Sequence, residues 1–129
     1  MQAISRSDLL APLIAGVVVS GFTFLGGTLA LGAHPSWAIK VGLIGTVVGA
    51  AIWLVLHLVG ATGRRVLVLD AVLFLACAAM VWFGKMRFVA SYAQDILAGR
   101  FWFFGWMALT GSAFILVAAI AGSHRNTSA

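Results

Sequence analysis

The chain is 129 residues long, 63% hydrophobic and only 9% charged, with a mean hydropathy of +1.11, whereas soluble domains hold about 45–50% apolar and about 25% charged residues. That composition excludes an ordinary soluble domain and points to an integral membrane protein. A net charge of +5, from eight Lys and Arg against three acids, lies at the edges of the apolar runs, which suits anionic lipid headgroups rather than nucleic acid.

A hydrocarbon layer about 30 Å thick takes about 20 residues of helix at about 1.5 Å per residue. Barrel strands alternate apolar and polar residues over about 10 positions, and the runs here are continuous and longer. The expected fold is therefore all-α. The first run, residues 9–32, follows Arg6, Ser7 and Asp8, with Pro12 about one turn from its start, where a missing N–H costs little. Its "ALGAHPSWA" ending resembles a signal-peptidase site, but the run exceeds the roughly 7–15 apolar residues of a signal peptide, so it is read as a retained span.

Pro35 breaks the chain, Ser36 is placed to cap a helix, and residues 37–60 form a second span ending in "GATG". Thr62 stands where it could cap span three, residues 66–84. In "KMRFVASYAQDILAGR", residues 85–100, Met86, Val89, Tyr92, Ala93, Ile96 and Leu97 recur at helical spacing. This pattern predicts an amphipathic helix lying at the membrane surface between spans three and four. Span four, residues 101–122, opens with "FWFFGW". The reading is one membrane domain, residues 1–129: a four-helix bundle with one interfacial helix.

Orientation follows from Lys and Arg in the short connections. Arg6, Arg64, Arg65 and Arg125 share one face, and Lys40, Lys85, Arg87 and Arg100 share the other. The balance leans on the Arg64–Arg65 pair, which favours cytoplasmic termini in a bacterial inner membrane. An evenly charged chain also suits dual insertion as an antiparallel homodimer.

Helices in lipid associate by close packing, which small residues permit. Gly16, Ser20, Thr23 and Gly27 fall in one sector of span one, and Ala38, Gly42, Gly45 and Gly49 do the same on span two. Gly105, Ala108, Ser112 and Ala119 form a weaker stripe on span four. Spans one and two are expected to pack against each other through their stripes. Pore lining is the rival reading. Trp37, Trp82, Phe101, Trp102 and Trp106 stand near span ends and read as an aromatic belt at headgroup level.

Asp70 is the one carboxylate within an apolar span, in "RRVLVLDAVLF". Its insertion costs about 2.5–3.5 kcal/mol at mid-bilayer, which the surrounding apolar residues offset. The expected partner is Arg64 or Arg65, reached by a bend at "TGRR", or the end of a neighbouring span; a proton-coupled or cation-binding role is the alternative. His57, one turn from the end of span two, reads as a residue facing free carbonyls and the helix dipole. As a haem ligand it would need a second axial group, and only His124 lies on the same side. His34 reads as a loop residue, and Cys77, the single cysteine, as a small apolar packer.

No paired acids, Ser–His–Asp grouping, histidine metal spacing or phosphate-binding glycine loop occurs, so neither an enzyme nor a bound cofactor or metal is expected. Size and span number resemble the small multidrug transporters and the dual-topology fluoride channels. Span one lacks the mid-span acid of the former, and the polar, phenylalanine-rich pore signature of the latter is missing, although "GFTFLGG" resembles it superficially. The leading expectation is an accessory or scaffold subunit of a larger membrane complex, respiratory or photosynthetic, partnered by lipids and other integral subunits. The alternative is a small homodimeric transporter or channel using Asp70.

Overall fold

The structure, a computed structural model, describes the backbone of residues 6–128 and the side chains of residues 6 and 8–122. A single 3-10 turn, Ser7–Leu9, leads into α1 (Leu10–Phe24), α2 (Gly27–Ala30), α3 (Ala38–Leu58), α4 (Arg64–Ala90) and α5 (Ile96–Ser128). Over Ala38–Leu58, Arg64–Ala90 and Ile96–Gly122 the helices are long and apolar enough to cross a membrane, and α1 is apolar but shorter. These lengths, with the composition, make this a membrane protein.

The first run is not one helix. It is interrupted after Phe24, where Gly26 takes φ +87°, a left-handed conformation that side-chain-bearing residues avoid. The short α2 beyond the break is held by the buried Thr28 hydroxyl, which donates to the Ala38 carbonyl of α3 at 2.8 Å.

The expected interfacial helix over residues 85–100 is also absent as a separate element. Instead α4 continues through Lys85 and Arg87 to Ala90, and α5 begins at Ile96. A helix satisfies its own backbone whatever surrounds it, so charged residues such as Lys85 and Arg87 do not by themselves end it. The turn itself ends it: Tyr92 and Ala93 take φ of 55° and 65°. Asp95 then accepts the Ala98 N–H on Oδ1 at 3.0 Å, capping the first turn of α5.

The long helices alternate in direction, and α5 is central, packing against α1, α3 and α4, while α4 packs chiefly against α5. Register follows from the contacts. Asp70 of α4 meets Ser112 of α5 and Gly84 meets Trp102, an antiparallel pairing; Val41 meets Thr110 and Gly49 meets Phe114, a parallel pairing of α3 with α5.

Glycines set these approaches. A Cβ on Gly84 would lie 2.8 Å from the Trp102 nitrogen, and one on Gly49 would lie 2.8 Å from the Gly111 oxygen. The stripe on α3 is therefore divided: Gly42 lies against Thr23 of α1, whereas Gly45 lies against Thr110 and Gly49 against Phe114, both on α5. The expected packing of spans one and two through their stripes therefore holds at Gly42, and α5 takes the rest of the α3 stripe.

The stripe on α1 is divided too. Gly16 faces the Phe114 ring at ordinary contact distance, Ser20 lines an open groove towards α3, and Gly27, beyond the break, lies beneath the Phe22 ring. On α5, Gly105 packs on Val81 and Ser112 on Asp70, but Ala108 is exposed.

Two apolar clusters result. Ala33, Ala38, Val41, Val81, Trp102 and Trp106 form one, near the turns 31–37 and 91–95; Ala15, Val19, Phe114 and Ala118 form the other. Trp102 and Trp106 are thus core residues rather than members of an outward belt. Trp82 and Phe101 do remain exposed.

Candidate functional site

The most unusual polar position is Asp70. It stands six residues into α4 on the face that also carries Cys77, Val81 and Gly84, all buried. Steps of 7, 4 and 3 residues keep this face in register with α5, since seven residues are close to two helical turns. Asp70 is consequently 6% exposed, enclosed between two helices rather than directed into lipid.

Its partner is Ser112. The Ser112 hydroxyl donates to Asp70 Oδ1 at 2.9 Å and lies 3.3 Å from the Asp70 carbonyl oxygen. Hydroxyls within apolar helices commonly return their proton to a carbonyl one turn back. Thr23 and Thr46 do so, to Val19 and Gly42, whereas the Thr110 hydroxyl lies 2.9 Å both from the Trp106 carbonyl of its own helix and from the Val41 carbonyl of α3. Ser112 differs in meeting a carboxylate on the neighbouring helix. Asp70 Oδ2 has no hydrogen-bond partner, a state shared among the described buried side chains with Trp106 Nε1. An isolated buried charge is costly, and one donated hydrogen bond satisfies a small part of a carboxylate's capacity.

The arginines are elsewhere. Arg64 and Arg65 are exposed and form no ion pair with Asp70, because α4 starts at Arg64 without the expected bend. On a continuous helix, residues five and six apart diverge by about 120–140°. Gly63, at φ +84°, occupies the N-cap position in place of Thr62.

His57 joins neither group. Its Nε2 lies 3.7 Å from Asp8 Oδ2, and its ring stacks on Trp53 with centroids 5.0 Å apart. This contact ties the start of α1 to the last turn of α3. The structure therefore keeps Asp70, His57 and the two arginines apart: Asp70 meets Ser112, His57 meets Asp8, and Arg64 and Arg65 are exposed at the start of α4. The role of Ser112 as the acceptor's partner was missed, although the period of Asp70, Cys77, Val81 and Gly84 shows which face of α4 is packed.

A groove of about 710 Å³ between α1 and α3 is lined by Ser20, Thr46, Ala50, Trp53 and Leu54, among others, and does not include Asp70. Its lining is almost wholly apolar. No group of three or more His, Cys, Asp or Glu able to hold a metal occurs among the described residues. No protein-family model, curated protein or solved structure matches the chain.

Proposed function

We propose that the chain crosses the bilayer four times and serves as an accessory or scaffold subunit of a larger membrane complex, of the respiratory or photosynthetic kind, in a bacterial inner membrane with cytoplasmic termini. The first crossing combines α1 and α2. Leu10 to Ala30 spans 21 residues with one break, enough for about 30 Å of hydrocarbon. The reading places residues 31–37 and 91–95 at one surface and 59–63 at the other.

One observation carries the subunit role. The helix contacts are closed by glycines set against backbone and side chains, at Gly42, Gly45, Gly49 and Gly84, so the small-residue faces are used in packing rather than in lining a path. What remains to act is the outer surface, where α4 presents Val72, Leu75 and Phe83 beyond its contact with α5. Such a surface serves assembly. Extraction in a mild detergent should bring the chain out in a large, stable complex with other integral proteins. Recovery only as a monomer or small homo-oligomer would overturn the subunit role.

The unpartnered Oδ2 of Asp70 favours a second reading, a homodimeric transporter or channel that uses this carboxyl. Under it, Asp70→Asn abolishes flux in reconstituted vesicles while leaving assembly intact. Flux unchanged by the substitution would remove Asp70 from that role.

A further inference from the structure

The end of the molecule formed by turns 31–37 and 91–95 carries a second cavity, of about 400 Å³. Trp37, Phe88, Ile96, Trp102 and Phe103 make its apolar wall, and His34, Ser36 and Arg100 supply polar atoms. The wall is rigid. Trp37 meets Trp102 and Phe103 edge-on, each with centroids 5.1 Å apart, and Trp102 is pinned by its indole N–H, which donates to the Gly32 carbonyl at 3.2 Å.

Charge at this end is one-sided. Lys40, Lys85, Arg87 and Arg100 stand against a single acid, Asp95, whose carboxylate already caps α5 and lies 3.9 Å from Arg87 Nε. Lys85 is half-buried with its ammonium 5.8 Å from the centroid of the Trp102 ring. Arg100 lines the cavity and is exposed. At the polar rim, His34 Nδ1 accepts the Ser36 N–H at 3.1 Å and lies 2.7 Å from the Ser36 hydroxyl.

We propose that this cavity is a binding site for an anionic phospholipid. Arg100, whose planar fork of donors matches phosphate oxygens, takes the phosphate. The glycerol end of the acyl chains lies on the wall of Trp37, Ile96 and Phe103, at the depth where indoles favour the headgroup boundary. Lys85, beside Trp102, adds positive potential without lining the cavity. The site depends on the membrane placement proposed above and not on the subunit role.

The test uses the full chain with Trp53→Phe and Trp82→Phe, which leaves Trp37, Trp102 and Trp106, all in or beside this end, as reporters. The protein is reconstituted into phosphatidylcholine vesicles containing a small fraction of brominated phosphatidylglycerol or, separately, brominated phosphatidylcholine. Tryptophan quenching should show a preference of about fivefold for the anionic lipid, the effect of about one basic residue at an anionic headgroup. Arg100→Gln should bring the ratio close to one. Lys40→Gln, which removes a charge at the same end but outside the cavity, should leave it nearly unchanged. Equal quenching by both lipids, or equal loss in the two variants, would overturn the site in favour of diffuse surface charge. Failure of the chain to enter vesicles would overturn the membrane placement itself.

Discussion

Ser112 on α5 donates to Asp70 Oδ1 on α4 at 2.9 Å, and this is the only hydrogen bond the buried carboxyl group accepts among the described residues. Ser112→Ala should therefore leave both carboxyl oxygens unpartnered and destabilise the α4–α5 contact by about 1 kcal/mol, between the small average for interhelical bonds in lipid and the cost of an orphaned buried group. Asp70→Leu should cost less, because it removes the carboxyl as well and lets the Ser112 hydroxyl return to its own helix. Unfolding in mixed micelles of rising SDS content, followed by far-UV circular dichroism, checks the order. If Asp70→Leu proves the more damaging, the carboxyl is a structural asset.

Glycine substitutions should divide by place rather than by residue type. A Cβ on Gly45 would run into the Thr110 hydroxyl and come within 2.9 Å of the Met107 carbonyl oxygen, while a Cβ on Gly21 meets nothing within 4 Å. Gly45→Ala should lose about 1–3 kcal/mol through overpacking. Gly21→Ala should be neutral or gain up to about 1 kcal/mol from the better helix former. The same SDS titration reads both, and a large loss in Gly21→Ala would place a neighbour against that part of α1.

Backbone conformation supplies the next contrast. Ala93 occupies the left-handed region at φ 65°, next to Tyr92 at 55°, a state that costs a side-chain-bearing residue roughly 1–2 kcal/mol. Ala93→Gly should stabilise the α4–α5 turn by about 0.5–1 kcal/mol after the added freedom of the unfolded chain is counted. Gly26→Ala should destabilise by about 1 kcal/mol for the converse reason, since Gly26 sits at φ +87° between α1 and α2. Unfolding midpoints measured on the two variants in parallel should move in opposite directions.

The helices α3, α4 and α5 were legible because uninterrupted apolar length is a local property of the chain. The break at Gly26 was written in "FLGGTLA" but was masked by the hydropathy around it. Lys85 and Arg87 were read as the end of a span. The helix continues through both of them to Ala90. The packed face of Asp70 could be read from its spacing with Cys77 and Val81, yet nothing local names Ser112, 42 residues away, as its partner. For the same reason α5 could not be singled out as the central helix: small-residue stripes occur on several spans, and only the three-dimensional arrangement decides which pairs meet.

Labelling of single cysteines can decide the number of crossings and the fixity of insertion. Cys77 is buried, so Cys77→Ser provides a background with no native thiol. Into it go Arg6→Cys before α1, Ser36→Cys between α2 and α3, Thr62→Cys between α3 and α4, and Tyr92→Cys between α4 and α5; all four positions are exposed. Four crossings require Arg6→Cys and Thr62→Cys to react with an impermeant maleimide from one side, and Ser36→Cys and Tyr92→Cys from the other. The contact of Asp8 with His57, at 3.7 Å, already places the start of α1 beside the end of α3. If α1 and α2 instead lie along the surface, position 6 should react from the same side as position 36. Reaction of every position from both sides would establish dual insertion, and with it the homodimeric reading over that of a subunit with one fixed orientation.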